Sequence, residues 1–223
     1  MRALVFDLDG TLVDTKYDLL DAGNLMFESQ GWSTRLKGFS GLQIAIQGGR
    51  AILRYGLQKE GIAFNDKLLK NYYQIYLDNY KKVLDNTSCS YDGVFDTLSK
   101  LKLMGVRLGL CTNKPEKHAR QLLKRLELID FFKDSFVGSD TVGVAKPNPK
   151  PLLEAIYRLN REPEDVFFVG DTNTDADAAK NAKVDFIFCR YGHGSMYKLA
   201  TGESAVFKIE TFSDLISIYE DKP

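Results

Sequence analysis

Cysteine, histidine and tryptophan are scarce in this chain of 223 residues, which contains three, two and one of them respectively. The cysteines are widely spaced and odd in number, and no Cys-x-x-Cys pair occurs, which argues against a disulfide framework and against a thiolate zinc site. No apolar run approaches the length of a membrane span, and the apolar run at the N-terminus is too short for the core of a signal peptide. We therefore expect a cytoplasmic protein that has no membrane partner.

An excess of charge of either sign is also missing. Thirty Lys and Arg residues balance thirty Asp and Glu residues, so the formal net charge is zero. This balance argues against bulk electrostatic binding to nucleic acid. Hydrophobic residues make up 44% of the chain and charged residues 27%, which is typical of a folded globular protein and excludes a disordered or collagen-like chain.

Short apolar runs alternate with segments of helical period. The runs predict buried strands at 3–6, 106–111, 136–137, 166–169 and 184–189. Helices are predicted between them, at 91–104, 116–126, 151–159 and 175–182. Runs that are apolar on both faces suit a parallel sheet covered by helices on both sides. The pattern predicts an α/β fold with a doubly wound, Rossmann-like parallel sheet.

One region interrupts this alternation. From residue 15 to residue 84 the sequence shows helical periodicity and no convincing strand. We interpret this region as a small α-helical domain inserted after the first strand. The predicted domains are therefore an α/β core of residues 1–14 and 85–223 and a helical insert of residues 15–84.

Polar residues stand just after four of the predicted strands. In open α/β sheets ligands bind at the carboxyl ends of the strands, so these residues are expected to meet at one rim. In order along the chain they are Asp7, Asp9, Thr11, Thr112, Asn113, Lys146, Asp171 and Asp175.

These residue types are expected to bind and cleave a phosphate ester. Carboxylates crowded on one rim repel one another, and a hard cation such as Mg²⁺ relieves the repulsion because it prefers carboxylate oxygen. Thr112, the Asn113 amide and a lysine suit phosphate oxygens. Asp7 would attack phosphorus and form an aspartyl phosphate, while Asp9 would protonate the leaving oxygen and later activate water. Gly10 would supply the bend that aims both acids.

The same residues resemble the four motifs of the haloacid dehalogenase superfamily, in the correct order. The matching segments read Asp7-Leu-Asp9-Gly-Thr11, Thr112-Asn113-Lys114, Lys146-Pro147 and Gly170-Asp171-x-x-x-Asp175. The Asp-Leu-Asp-Gly-Thr-Leu-Val-Asp-Thr opening and the Thr-Asn-Lys-Pro segment are most similar to the phosphoglycolate phosphatase group. The resemblance implies a phosphoric monoester hydrolase that uses Mg²⁺ and acts on a small phosphorylated metabolite such as 2-phosphoglycolate.

The resemblance also implies a role for each matching residue. Asp7 resembles the nucleophile and Asp9 the general acid and base. The implied substrate- or phosphate-binding residues are Thr11, Thr112, Asn113 and Lys146. The implied metal-binding residues are Asp7, Asp9 through its backbone carbonyl, Asp171 and, as an additional or more distant ligand, Asp175. The helical insert resembles a mobile cap that would exclude water and select the leaving group.

Four further residues are open to more than one interpretation. In the insert, Phe39–Gly41 and Gln47–Arg50 are expected to be loops facing the core, where Arg50 would pair with a substrate carboxylate; a surface helix arginine is the alternative. Lys114 is interpreted as a solvated lysine. His193 is interpreted as part of a glycine-rich turn, with a role near the rim of the pocket as the alternative. Lys183 stands where relatives usually have glycine, which puts the geometry of that turn in doubt.

Two other functions share part of the pattern. A phosphosugar mutase on the same scaffold would use the same first acids and return the phosphate to a sugar, although Thr11 after Gly10 favours hydrolysis. A signalling receiver domain also holds Mg²⁺ beside a phosphorylated aspartate. Its phospho-acceptor usually follows a middle strand, and it has no helical insert after the first strand, so the order of motifs argues against it.

Overall fold

The protein is described here from a computed structural model, and the described residues are 2–84 and 86–220. The chain divides into two compact units, one made of Met1–Asp14 with Cys89–Pro223 and the other of Thr15–Ser88. The second unit extends four residues beyond the predicted end of the insert at residue 84. Residue 85, at which the core domain was predicted to resume, lies outside the described residues.

The strands and helices follow one another in the order that a doubly wound domain with an insert requires. The strands are β1 (Ala3–Phe6), β2 (Val13–Asp14), β3 (Cys89–Ser90), β4 (Leu108–Cys111), β5 (Phe136–Val137), β6 (Val166–Gly170), β7 (Asp185–Cys189) and β8 (Phe207–Ile209). The helices are α1 (Lys16–Ser29), α2 (Gly38–Ala45), α3 (Gly49–Lys59), α4 (Asp66–Val83), α5 (Val94–Leu103), α6 (Glu116–Arg125), α7 (Lys150–Arg158), α8 (Asn173–Ala182), α9 (His193–Met196) and α10 (Leu215–Glu220). Short 3₁₀ turns occur at Ile129–Phe132, Pro163–Asp165 and Phe212–Asp214.

The first unit contains a parallel sheet with the strand order β5-β4-β1-β6-β7-β8. Phe6 at the end of β1 lies opposite Leu110 of β4 and Val169 of β6, so these three strands end at the same edge. The predicted Rossmann-like α/β fold is therefore confirmed. The five predicted strands are all present, with ends that differ by up to two residues.

Successive residues of β1 pack on opposite faces of the sheet, as the strand period of two requires. Val5 belongs to a core cluster with Leu152 of α7 and Ala178 of α8. Phe6 packs against the rings of Phe132 and Phe212, at centroid distances of 6.1 and 5.6 Å. Helical layers thus cover both faces, which explains why the strand is apolar throughout.

Lys183 ends helix α8 in the left-handed conformation, with φ +58°. The turn is closed by a hydrogen bond from the Val184 N–H to the Ala179 carbonyl, with an N–O distance of 2.9 Å. Glycine is the usual residue in such a turn because it has no Cβ to strain. The turn therefore keeps the geometry for which glycine is suited, although a lysine occupies it.

The second unit consists of helices α1 to α4 around an aromatic core. Phe27 stacks on Trp32 at a centroid distance of 5.6 Å, and Tyr76 stacks on Tyr80 at 6.0 Å. Gly56 of α3 lies so close to Phe27 that a Cβ there would be 2.4 Å from the ring. Tyr76 and Tyr80 of α4 thus pack the interior of this unit. Among the described helices, none combines the length and the hydrophobicity that crossing a bilayer requires.

Candidate active site

The loop after β1 brings Asp7 to the carboxyl edge of the sheet and then turns back. The Asp7 N–H donates to the Val169 carbonyl of β6 (2.9 Å), and the Gly10 N–H donates to the Val13 carbonyl (2.8 Å). Gly10 has φ +86°, and a Cβ at this position would lie 2.3 Å from Oδ2 of Asp171. Glycine is therefore required here both by the turn and by the close approach of a carboxylate.

Three buried carboxylates meet beside this loop. Asp7, Asp171 and Asp175 each place one oxygen within 4.8 Å of the others. Burial, followed by the charge of Asp175, raises the pKa of Asp7 to about 7. Burial and the charges of Asp175 and Asp7 also raise the pKa of Asp171 well above its usual value. A cluster of this kind has the oxygen donors that a hard divalent cation prefers.

Lys146 supplies positive charge to the same cluster. Its Nζ donates to Oδ1 of Asp175 (2.6 Å) and to the Cys111 carbonyl (2.9 Å), and it lies 2.8 Å from Oδ1 of Asp7. Burial lowers the pKa of this ammonium, but Asp175 and Asp7 outweigh burial, so the net shift is upward. The lysine therefore remains charged and neutralises part of the repulsion among the acids.

Asn113 holds the loop that presents Lys146. Its Nδ2 donates to the Lys146 carbonyl (3.0 Å), and its Oδ1 accepts from the Lys146 N–H (2.8 Å). Thr112 lies beside it at the end of β4, where its buried hydroxyl oxygen accepts from the Lys114 N–H (3.1 Å). Both residues lie at the predicted rim, and their contact with phosphate remains a prediction.

Thr11 and Asp175 have supporting contacts in this structure. The Thr11 hydroxyl donates to Oδ1 of Asp171 (3.1 Å), so it orients an acid of the cluster. Oδ2 of Asp175 accepts from the N–H and the hydroxyl of Thr172, at 3.0 and 2.6 Å, in a capping box that begins helix α8. Oδ1 of Asp175 thus already accepts from a cation, the Lys146 ammonium, and direct ligation of a metal ion by this acid remains a prediction.

Lys114 was wrongly interpreted as a solvated lysine. Its side chain is buried, and its Nζ donates to both carboxylate oxygens of Asp9, at 2.7 and 2.9 Å. The Asp9 carboxylate lies outside the three-acid cluster, and the predicted metal contact through its backbone carbonyl remains a prediction. The position of Lys114 directly after β4, at the same rim as Asp9, is the sequence signal that identifies this pair.

His193 was likewise more than a turn residue. Its side chain is buried, and its Nε2 lies 2.9 Å from Oδ1 of Asp14. The N–H of the next residue, Gly194, donates to Oδ2 of Asp171 (3.0 Å). No feature of the spacing links residues 14 and 193, so sequence reasoning had no means of finding this contact.

Arg50 belongs to the second unit. It is the second residue of α3, is exposed to solvent, and has its guanidinium 5.0 Å from the centroid of the Tyr73 ring. The expectation of a loop at Phe39–Gly41 was wrong, because these residues lie inside helix α2. Ser40 and Gly41 suggested a turn, but the helix continues through both of them. The loop expected at Gln47–Arg50 was wrong for its last two residues, because helix α3 begins at Gly49. The contact of Arg50 with a substrate carboxylate remains a prediction.

Comparison with known proteins identifies the family and relatives of this chain. The sequence model of the family described as haloacid dehalogenase-like hydrolase matches residues 4–189. The phosphoglycolate phosphatase of Nitrosospira multiformis is 34% identical over 204 residues, covering 86% of this chain and 85% of its own. That of Aquifex aeolicus is 30% identical over 222 residues, covering 99% of this chain and 98% of its own.

A solved structure agrees at the level of the fold. The crystal structure of a predicted phosphoglycolate phosphatase from Haemophilus somnus 129pt superposes with a TM-score of 0.83 at 24% sequence identity. The superposition covers 98% of each chain. The α/β sheet and the inserted helices are therefore an architecture that this chain shares with a solved protein.

Proposed function

Because the chain belongs to the haloacid dehalogenase-like hydrolase family and is a phosphatase, we propose that it is a Mg²⁺-dependent phosphatase of small phosphorylated acids such as 2-phosphoglycolate. We propose further that it acts through an aspartyl phosphate on Asp7. The observation that carries the proposal is the buried cluster of Asp7, Asp171 and Asp175, with Lys146 in contact with two of its members.

The donor set fits a hard divalent cation. Burial and the charges of the neighbouring acids raise the pKa values of Asp7 and Asp171, a bound cation would offset both effects, and the carboxyl groups offer only oxygen ligands. Asp7 and Asp171 would hold the ion, and Asp175 would support them through Lys146. The bound ion would supply charge stabilisation for the phosphoryl oxygens and would reduce their repulsion from Asp7.

In the first step an oxygen of Asp7 attacks phosphorus, and the bond from phosphorus to the leaving oxygen breaks. Asp9 gives a proton to that oxygen, so the alcohol departs neutral. Lys146, in contact with Oδ1 of Asp7, keeps the carboxylate oriented and offsets its charge as the dianionic phosphate approaches. The products of this step are the free alcohol and phosphorylated Asp7.

In the second step Asp9, now a carboxylate, takes a proton from water while the water oxygen attacks phosphorus. The bond between phosphorus and the Asp7 oxygen breaks. Inorganic phosphate leaves, and the Asp7 carboxylate and the protonated Asp9 are restored. A mutase would instead place an alcohol of a second sugar where this water enters.

Lys114 favours a substrate that carries a second negative charge. Asp9 serves the leaving oxygen, and Lys114 contacts both oxygens of Asp9, so the lysine lies on the side of the leaving group. A carboxylate close to the leaving oxygen, as in 2-phosphoglycolate, would meet a cation there. The names of the curated relatives support the same substrate class.

The test is a screen for phosphate release with and without Mg²⁺. 2-Phosphoglycolate, sugar phosphates, nucleotides and an aryl phosphate are compared, and EDTA-treated protein serves as the control. We expect Mg²⁺-dependent release of inorganic phosphate, with the highest kcat/KM for 2-phosphoglycolate. Borohydride reduction of the quenched reaction should convert phosphorylated Asp7 to homoserine. Conversion of a sugar phosphate to its isomer without net phosphate release would overturn the proposal in favour of the mutase.

A further inference from the structure

The segment Tyr191–Gly194, which follows β7, is pressed against Asp171. The Gly194 N–H donates to Oδ2 of Asp171 (3.0 Å). A Cβ at Gly192 would lie 2.3 Å from the Asp171 Cβ, and a Cβ at Gly194 would lie 1.9 Å from the Asp171 carbonyl oxygen. The two glycines therefore allow the segment to approach a carboxyl group of the acid cluster more closely than residues with side chains would allow.

The other side of the same segment is fixed to the strand β2 and to the loop before it. His193 is 2% exposed, and its Nε2 lies 2.9 Å from Oδ1 of Asp14, the last residue of β2. The Tyr191 hydroxyl donates to the Thr11 carbonyl (2.8 Å). The ring of Tyr91 packs edge-on against both Tyr191 and His193, at centroid distances of 4.8 and 6.5 Å.

These contacts give His193 a role that a turn residue lacks. Between two glycines the backbone is intrinsically free, so the position of the Gly194 N–H depends on the side chains that anchor the segment. The Tyr191 hydroxyl and the His193 imidazole both anchor the segment, and the imidazole, with Asp14 as its partner, is the anchor next to Gly194 in the chain. Oδ1 of Asp171 accepts from Thr11 and Oδ2 from Gly194, so both oxygens are oriented by groups that the segment touches. Hydrogen bonds of this kind to a metal ligand tune the affinity for the metal.

We propose that the buried pair His193–Asp14 is a positioning element for the carboxyl group of Asp171, and that it sets the affinity of the acid cluster for a divalent cation without contacting the cation. The inference rests on the proposed function only in that Asp171 holds the ion. His193 is a positioning residue, and its removal is expected to weaken cation binding while every proposed ligand stays in place.

The experiment measures binding of Mn²⁺ to metal-free protein by electron paramagnetic resonance, with Mg²⁺ as competitor. His193→Ala is expected to weaken Mn²⁺ binding about tenfold, the size of effect seen when a partner of a metal ligand is lost. Asp14→Ala should weaken it equally, and the double variant should bind no worse than either single variant. His193→Gln places an amide nitrogen near the Nε2 position and should restore most of the affinity.

Asp185→Ala is the matched control, because it breaks the Arg2–Asp185 ion pair (2.7 Å) at the opposite end of β7. It should leave Mn²⁺ binding unchanged, whatever it does to the melting temperature. If His193→Ala does not fold, Asp14→Ser is measured in its place. Variants that fold and bind Mn²⁺ as the wild type does would overturn the inference and leave the proposed function intact. A wild-type chain that binds neither ion would overturn both.

Discussion

Asp18 in the second unit and Asp7 in the first are both buried carboxylates, but their surroundings differ. Oδ1 of Asp18 accepts from the N–H and the hydroxyl of Thr87, at 2.9 and 2.6 Å. Oδ2 accepts from the N–H and the hydroxyl of Ser88, at 3.1 and 2.5 Å. Asp7, in contrast, lies among carboxylates and shares the Lys146 ammonium with Asp175.

The difference shows what distinguishes a structural buried acid from a reactive one. Neutral donors contact both oxygens of Asp18, so this carboxyl group joins the first helix of the unit to the end of the unit. The acids of the first unit face one another, and burial together with their mutual repulsion raises the pKa values of Asp7 and Asp171. Burial alone is therefore a poor guide to function, whereas crowding of like charges is a good one.

The largest expected effect is on turnover, which should be lost when Asp7 is replaced and kept when Asp18 is replaced. Asp7→Asn removes the oxygen that attacks phosphorus, and kcat should fall by at least about 10³-fold. Asp18→Asn is the matched control, because it makes the same substitution at a buried acid that has no part in the reaction. It should retain turnover. Steady-state phosphate release at saturating Mg²⁺ measures both, and circular dichroism checks the fold. Retained turnover in Asp7→Asn would contradict the assignment of the nucleophile.

The next effect tests the lysine that contacts Asp9. Lys114→Met keeps the length of the side chain and removes its charge, which releases Asp9 from its two hydrogen bonds. Because a positioned general acid contributes about 10²–10⁴-fold, kcat/KM with 2-phosphoglycolate, which reports formation of the aspartyl phosphate, should fall by about 10²-fold. An aryl phosphate, whose leaving oxygen needs little protonation, should be affected less. Lys133→Met, at an exposed ion pair with Asp130, is the control and should change neither rate. Equal losses with both substrates would argue against a link to the leaving group.

The sequence predicts features that depend on neighbouring residues better than features that depend on contacts between distant parts of the chain. The apolar runs predict the strands that are buried on both faces. Strand β8 was missed because Phe207 and Lys208 are exposed. Strands β2 and β3 were missed because each has two residues of which at most one is buried, whereas both residues of the equally short β5 are apolar and buried. A short or half-exposed strand carries too few apolar residues to be recognised by its pattern.

The candidate site shows the same limit. The carboxyl ends of the strands identify the polar rim, because parallel strands bring those ends together whatever the loops do. The partner of each side chain is a different matter. The Lys114–Asp9 pair joins loops 105 positions apart, and the His193–Asp14 pair joins residues 179 positions apart. Such contacts depend on the conformation of each loop, and neither the spacing of the residues nor the composition of the chain predicts that conformation.

The free energy of unfolding should distinguish the two acids in the other direction: Asp18→Asn should lower it, although Asp7→Asn should not. Asp18→Asn replaces an accepting oxygen with an amide that donates, and this amide would face the donors of Thr87 or Ser88. Hydrogen bonds to a charged group are worth about 1.5–3 kcal/mol each, so the free energy of unfolding should fall by about 2 kcal/mol. Urea unfolding measures it. A variant as stable as the wild type would show that these four hydrogen bonds contribute little.

The free energy of unfolding should depend on pH because the pKa of the buried Asp7 is raised. In metal-free protein the pKa of Asp7 is raised to about 7, so between about pH 4 and 7 the folded state binds more protons than the unfolded state. Stability is then lost as the pH rises through this window, and the loss is complete above pH 7. Asp7→Asn lacks this penalty but also removes a partner of Lys146. It should therefore be more stable than the wild type by about 1–2 kcal/mol at pH 8.

The same measurement has an internal control. Well below pH 4 Asp7 is protonated in both states, so the advantage of Asp7→Asn should shrink as the pH falls from 8 towards that range. Added Mg²⁺ should reduce the advantage, because the ion binds more tightly to, and so stabilises more, the chain that retains both carboxylates. Chemical unfolding in EDTA at pH 5 and 8 gives the comparison. An advantage that does not grow with pH would contradict the raised pKa.

The smallest expected effect concerns the second unit and substrate specificity. Arg50→Ala should raise KM for 2-phosphoglycolate by roughly fivefold, the loss expected for one partly solvated ion pair of about 1 kcal/mol. It should barely change KM for an aryl phosphate, which carries no carboxylate. Arg54→Ala is the matched control, because Arg54 is also exposed on α3 and lies 6.0 Å from an aromatic ring, that of Phe64. Equal effects on both substrates, or equal effects of both variants, would remove Arg50 from the binding residues. A selective effect would give the second unit a part in recognition, beside the chemistry of the first.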